Sequence, residues 1–361
     1  MAKILITGGA GFIGSNLAEQ LVEQGQEVVV LDNLATGRLS NLRKIEKQVK
    51  FIQGDIRELD SLRESFQGID FVFHLAALPG VFFSVQSPEQ CNKTNIEGTL
   101  NVLMAARDNK VKRVVFASSS SIYGGVSPIN QEDQKPQPLS PYAVSKITGE
   151  YYANNFYKLY GLETVCLRFF NVFGPHQNPE SEYAAVIPLF IKLAIEGKQP
   201  IIFGDGQQSR DFTFVENVVE GMILAMNSPQ AAGEVFNLAC GDNITVNQLV
   251  ETIGQILGKK ITPVYQDPRP GDIYRSQANA DKIKTKLGFA PKVNFTDGLT
   301  KTIAYLKSQE SSWGTSRRIP EILRPLGLRM TDTICPQSQK LLFYAVPMRL
   351  LWAGPSFLSK K

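Results

Sequence analysis

The chain has 361 residues, 43% hydrophobic and 20% charged, with a formal net charge of +4, the composition of an ordinary soluble protein long enough to bury one large core or two. The charge is uneven: from residue 311 onward eight Lys or Arg face two acids, a local +6, which leaves −2 for the rest, so the body has no basic stripe for nucleic acid. The four cysteines, Cys91, Cys166, Cys240 and Cys335, form no CxxC pair and have no His at ligand spacing, so no metal site or disulfide framework is expected and a reducing cytoplasm is the expected compartment.

A first apolar strand at 3–7 begins at once, leaving no room before it for a secretory leader, so export is not expected. It runs into Gly8-Gly9-Ala10-Gly11-Phe12-Ile13-Gly14 and then an amphipathic helix with Ile13, Leu17 and Leu21 on one face. Glycines at 8, 11 and 14 allow a tight turn, close approach of backbone to a pyrophosphate and close packing of helix on strand, and the helix N-terminus supplies free N–H groups. Such turns also occur only for packing. Position gives this one more weight, because Asp32, followed by Asn33, ends the next strand 18 residues after Gly14. An acid there accepts hydrogen bonds from ribose hydroxyls and repels a 2′-phosphate, which favours NAD over NADP.

Further runs at 27–31, 50–52, 70–75, 112–117 and 163–167 read as buried strands separated by helix-period stretches, the pattern of a Rossmann-type, doubly wound parallel sheet. Ligands in that α/β architecture sit beyond the carboxyl ends of the strands, where Asp55 with Ile56, then Leu75-Ala76-Ala77, and then Ser118 to Ser121 fall. Asp55 is placed to take an adenine amino group, or only to close a turn; the small residues at 76 and 77 let backbone meet cofactor. Tyr142 and Lys146 are four apart, so with Pro141 at the helix start they share one face. An ammonium beside a phenol favours phenolate and lowers its pKa toward that of a working base. By itself Tyr-x-x-x-Lys is common on solvated helices; the serine run upstream, able to hold a substrate hydroxyl toward the base, sets this one apart.

After about residue 170 the pattern loosens into Pro- and Gly-rich pieces between short elements, read as a smaller α+β lobe that closes over a substrate. The expected organisation is a cofactor domain at 1–170, a substrate lobe at 171–310 with some segments returning to the first domain, and an atypical basic and apolar tail at 311–361. Arg349, Pro347 and Pro355 interrupt the apolar stretch 341–358, which argues against a spanning helix. The tail reads as a poorly packed extension ahead of a membrane-surface segment.

The glycine turn with Asp32, the serine-rich strand end, Tyr142-x-x-x-Lys146 and Arg168-Phe169-Phe170-Asn171-Val172-Phe173-Gly174-Pro175 resemble the extended short-chain dehydrogenases, the NAD-dependent epimerase/dehydratase family that reworks nucleotide sugars. The resemblance covers about residues 1–308. Within that family, Pro138-Leu139-Ser140-Pro141-Tyr142 and Tyr183-Ala184-Ala185-Val186-Ile187-Pro188 are most similar to UDP-hexose 4-epimerases, especially the UDP-N-acetylglucosamine type. It implies Ser119 and Tyr142 as the catalytic hydroxyls, Lys146 on the nicotinamide ribose, and Asn95 and Phe170 at the cofactor. For the sugar nucleotide it implies Ser120, Ser121, Ala185 and Val186 at the sugar, Asn171 and Arg210 at the diphosphate, Ile201 and Phe203 at uracil, and Arg269 with Asp272 on the phosphate and ribose side. Ser276 would gate the sugar pocket; its small size leaves room for a 2-acetamido group. The implied reaction is a hydride shuttle through a 4-keto sugar on retained NAD, in a homodimer joined through helices at 93–108 and 142–159.

Alternatives remain. A 4,6-dehydratase would carry Asp-Glu where Ser120 and Ser121 stand. UDP-glucuronate epimerase or decarboxylase chemistry shares the hydride step, but Gly80-Val81-Phe82-Phe83-Ser84 replaces the Arg often found in that loop. A non-enzymatic NAD sensor on the same fold could dispense with the Tyr and Lys. His74 reads as a core residue and His176 as a lone loop residue.

Overall fold

The large sheet is assembled from strands far apart in the chain: β1 (Lys3–Thr7), β2 (Glu27–Asp32), β3 (Val49–Gln53), β4 (Phe71–His74), β5 (Arg113–Ser119), β6 (Glu163–Phe169) and β7 (Val235–Leu238). In this computed structural model, which describes residues 1–179, 185–268 and 273–309, they lie in the order β7-β6-β5-β4-β1-β2-β3, every pair parallel. The six strands read from the sequence match within one or two residues. The seventh was not expected: Val235–Leu238 is only four residues long and comes from the loosened second half, so no periodicity announces it.

Strand side chains alternate between two cores, as a pleated ribbon requires. Ile4, Ile6, Val28, Val30, Phe73 and Val115 point to a face covered by α1 (Phe12–Glu23) and the later helix Val215–Asn227. Leu5, Val29, Val72 and Val114 point to the opposite face, where Leu62 of α2 (Leu59–Ser65), Leu103 of α3 (Gly98–Asp108) and Phe156 of α4 (Pro141–Tyr160) close over them. Both faces are covered, which is why the strands read as near-continuous apolar runs. The helix expected at 93–108 differs from the sequence reading: a short helix Pro88–Asn92 and a π turn Lys93–Glu97 precede α3. The extra residue in that turn turns Thr94 and Asn95 inward, and both are buried.

The second half adds small sheets around α5 (Val186–Ile195), α6 (Val215–Asn227), α7 (Val246–Leu257), α8 (Asp281–Leu287) and α9 (Phe295–Ser308). One joins Ile244–Thr245, Ser209–Arg210, Arg275–Ala278 and Ile129–Asn130; two others pair Thr213–Phe214 with Val172–Phe173, and Val264–Gln266 with Ile201–Phe203. The described residues all fall in one compact unit, Met1–Arg318. Among them no helix is long and apolar enough to cross a membrane. The expectations for the tail at 311–361, and those for Tyr183, Ala184, Arg269 and Asp272, lie outside the described residues.

Candidate active site

The glycine turn closes on itself and on the end of β4. A Cβ on Gly14 would stand 2.4 Å from the Gly8 carbonyl oxygen, and one on Gly8, whose φ is +73°, would stand 2.7 Å from the Ala76 nitrogen. Both obstacles are backbone, so glycine is required at each. The turn thus meets the 75–77 segment, and α1 begins at Gly11 with no side-chain cap, leaving its first amides for an outside acceptor. Asp32 accepts from Ala10 N at 3.0 Å through Oδ2 and from Leu34 N at 2.8 Å through Oδ1, so each oxygen keeps a further lone pair. Burial pushes its carboxyl up, against the pull of those two bonds. Gly37, missed in the sequence reading, stands over this carboxylate: its Cβ would be 2.8 Å from Oδ2.

Asp55 is differently employed. Arg57 grips both its oxygens at 2.9 and 2.7 Å and Asn33 donates to Oδ2 at 2.9 Å; burial pushes its pKa up, but these bonds outweigh it and the net shift is down. Its neighbour Ile56 is buried against Gly98.

Ser140 caps α4 by accepting from Ala143 N at 3.1 Å, and Pro141 takes the first helical position. That start sets the helix phase and puts Tyr142 and Lys146 on the face toward β5. The Tyr142 phenol faces the Ser119 hydroxyl, which favours its ionised form, Ser119 Oγ accepts from Ser121 N at 3.2 Å, and Lys146 Nζ donates to the Ala117 carbonyl at 2.8 Å, 5.8 Å from the Tyr142 ring centre. In the protein alone the Tyr142 phenol is pushed up to about 12, because burial outweighs the Ser119 hydroxyl, and the same burial brings Lys146 down to about 8.

Around this pair the sheet edge is tightly specified. Asn95 Oδ1 accepts from Leu78 N at 2.8 Å while Nδ2 donates to Leu78 O at 3.1 Å and to Ser145 Oγ at 3.2 Å, joining the segment after β4 to α4. His74 is indeed buried and satisfied: Thr99 donates to Asn95 O at 2.6 Å, so it accepts from His74 Nε2 at 3.0 Å, and Thr7 donates to Nδ1 at 2.8 Å. Burial holds the imidazole neutral, down to about 3. His176 is not a lone loop residue, for its Nδ1 meets Ser15 Oγ of α1 at 2.7 Å. Phe170 is buried against Tyr123, their ring centres 6.2 Å apart.

In the second half, Arg210 and Ser276 are register partners on adjacent strands, with Asp211 N donating to Ser276 O at 3.0 Å. Asn171 receives Thr213 N on its carbonyl at 3.0 Å, Ala185 opens α5 ahead of Val186, and Ile201, 39% exposed, and Phe203 lie on one strand. Asp211 is wholly buried and accepts from Gly241 N at 3.0 Å and Ala278 N at 3.2 Å, its carboxyl pushed by burial up to about 7. No sequence pattern distinguishes this buried acid from a surface one.

The model of the NAD dependent epimerase/dehydratase family matches residues 4–239. The chain belongs to this family. A relative named putative UDP-glucose 4-epimerase, from Methanocaldococcus jannaschii, is 36% identical over 308 residues, 84% of this chain and 98% of that protein. The crystal structure of a UDP-N-acetylglucosamine 4-epimerase from Methanobrevibacter ruminantium with UDP-N-acetylmuramic acid is 39% identical, TM-score 0.81, over 85% of this chain and 99% of that one. A UDP-glucuronic acid 4-epimerase from Bacillus cereus with UDP-glucuronic acid and NAD is 34% identical, TM-score 0.79, over 85% and 99%.

NAD is the cofactor of this epimerase/dehydratase family, and the residues present fit it. The glycine cradle admits no Cβ at positions 8 and 14, α1 is uncapped by any side chain, and Asp32 keeps lone pairs in reserve. The buried Ser121 hydroxyl, beside Ser119, has no protein partner.

Proposed function

We propose that the protein is a UDP-hexose 4-epimerase, acting on UDP-N-acetylglucosamine and UDP-N-acetylgalactosamine, on UDP-glucose and UDP-galactose, or on both pairs. The observation that carries this reading is the Tyr142–Ser119 hydroxyl pair at the carboxyl edge of the sheet, with Lys146 on the same helix face. Tyr142 as phenolate takes the proton of the sugar 4-hydroxyl and later returns it, while Ser119 holds that oxygen in line. NAD, when bound, would supply the reversible hydride acceptor that oxidation and re-reduction at C4 of the sugar require. Its ribose would lie toward Lys146, and its adenosine toward Asp32, with Gly8, Gly11 and Gly14 along the pyrophosphate. A free Lys146 ammonium then serves the phenolate better than one bound to a carbonyl.

Asn171 and Arg210 would anchor the diphosphate, Ile201 and Phe203 the uracil, with Arg269 and Asp272 on the phosphate and ribose side. Ser120, Ser121, Ala185, Val186 and Ser276 would surround the sugar. The shortness of Ser276 supports an N-acetylated hexose, and the phenylalanines at 82 and 83, in place of a cation, favour neutral sugars over glucuronate. The working form we propose is a cytoplasmic homodimer built on α3 and α4, whose exposed Val144 and Tyr151 lie seven residues apart along one side of α4.

The deciding experiment incubates purified protein with UDP-N-acetylglucosamine and separately with UDP-glucose, with no added NAD, and follows the 4-epimer by proton NMR. Interconversion that vanishes in Tyr142→Phe supports the reading. Absence of turnover on every UDP-hexose, even with NAD added, ends it.

A further inference from the structure

Three consecutive residues at the end of β5 each hold a different turn of α4. Ser119 faces Tyr142, the Ala117 carbonyl accepts from Lys146 at 2.8 Å, and the Ser118 hydroxyl donates to Glu150 Oε1. The first two touch residues assigned to the chemistry. The third does not, yet both its members are almost fully buried, at 3% and 4% exposure. A buried carboxylate is retained only where it is fully paired. Arg168 of β6 supplies that pairing, its Nε reaching Oε1 at 2.9 Å and its Nη2 reaching Oε2 at 2.8 Å.

The same guanidinium donates through Nη1 to Tyr123 Oη at 2.8 Å and to the Glu132 carbonyl at 3.2 Å. Tyr123 closes the short 3₁₀ turn Ser120–Tyr123, which carries Ser120 and Ser121, and its hydroxyl donates to Asn237 Oδ1 at 2.6 Å. One ion pair therefore reaches the strand end, the serine turn and the catalytic helix together. A cleft of about 760 Å³, lined by Glu150, Arg168, Tyr151, Glu132 and Lys282 among others, opens beside that pair, next to the packing of Ala153 and Cys166 on Phe116.

We propose that Ser118 and Glu150, braced by Arg168, are positioning residues that set the height and rotation of α4 against β5, and so the distance and angle at which Tyr142 meets Ser119 and the sugar hydroxyl. The inference rests on the epimerase reading for its kinetic consequence, and on the geometry alone for its structural one. Proton transfer to a positioned base is steeply sensitive to alignment, and a displacement of about 1 Å can cost on the order of 10²-fold in rate. Removing the Ser118 hydroxyl leaves the Glu150–Arg168 pair intact, so no charge is stranded and the fold survives; Glu150→Gln would strand Arg168, and its failure to fold would be uninformative.

The test compares Ser118→Ala and Ser118→Thr holoenzymes. Two measurements are made: kcat and KM for the UDP-hexose that the wild type turns over, and the NMR signal of isotope-labelled Tyr142, assigned by its loss in Tyr142→Phe, without sugar present. We expect Ser118→Ala to lower kcat about tenfold, with KM and melting temperature little changed and the Tyr142 signal displaced. Ser118→Thr, which restores the hydroxyl, should recover most of the rate and the signal position. Wild-type kcat in Ser118→Ala, an undisplaced Tyr142 signal, or no recovery by Thr would each overturn the proposal. A wild type inactive on all UDP-hexoses would end the epimerase reading instead, with the Tyr142 signal still deciding the structural claim.

Discussion

Burial, more than charge, sets the properties of the individual groups. Tyr142 is pushed up to about 12 and Lys146 down to about 8 in the protein alone, both chiefly by burial. Tyr142→Phe, which removes only the hydroxyl, should lower turnover by about 10²- to 10⁴-fold while leaving NAD content unchanged, measured by proton NMR and by the nucleotide released on denaturation. Asp211 offers a separate test. With its folded-state pKa raised from 3.8 to about 7, the fold keeps a proton that the unfolded chain has released between those values, so this group's contribution to stability falls as pH rises through that window and is flat above it. His74 and His176 act oppositely: held down to about 3 and about 4, they stay neutral in the fold while the unfolded chain protonates below 6.5, so their contribution is lost on acidification. Asp211→Asn removes only the first effect. Its stability should therefore drop more steeply than the wild type's from about pH 7 to pH 4.5, by at most about 4 kcal/mol, as read from urea unfolding at each pH.

Among the elements, the turn before α1 has little freedom. An alanine at position 14 would drive its Cβ into Gly8 O at 2.4 Å and Gly9 Cα at 2.7 Å, neither of which is a flexible side-chain end. Gly14→Ala should cost about 2 kcal/mol or more in stability and should yield protein that copurifies without NAD, checked by absorbance of the nucleotide fraction. The sequence made this turn legible because glycines at fixed spacing between a strand and a helix have few other uses. It did not make the π turn at Lys93–Glu97 legible, since one inserted residue leaves the apolar period of a long helix almost unaltered, and only the inward position of Asn95 reveals it. Asp55 shows a different limit. Its place after a strand was readable, but Arg57 two residues on takes both its oxygens, a choice made by side-chain conformation.

For the whole molecule, assembly is the property most open to test. If dimers form through α3 and α4, Tyr151→Glu places a charge on the apolar side of α4 and should give monomers in sedimentation velocity at concentrations where the wild type is dimeric. A monomeric wild type would refute that arrangement. The six strands, their parallel direction and the carboxyl-edge location of the polar residues were all legible in the sequence, because each follows from local period and from strand-to-helix alternation. So were the cofactor turn and the Tyr142–Lys146 spacing. What tertiary structure alone decided is which distant groups share a buried charge or a hydrogen bond: β7 beside β6, Glu150 with Arg168 and Ser118, His176 on Ser15, and Asp211 on the amides of Gly241 and Ala278. Periodicity records which face of an element is buried, whereas these pairings depend on how two faces from remote parts of the chain meet, and that is settled only when desolvation forces each polar group to find its partner.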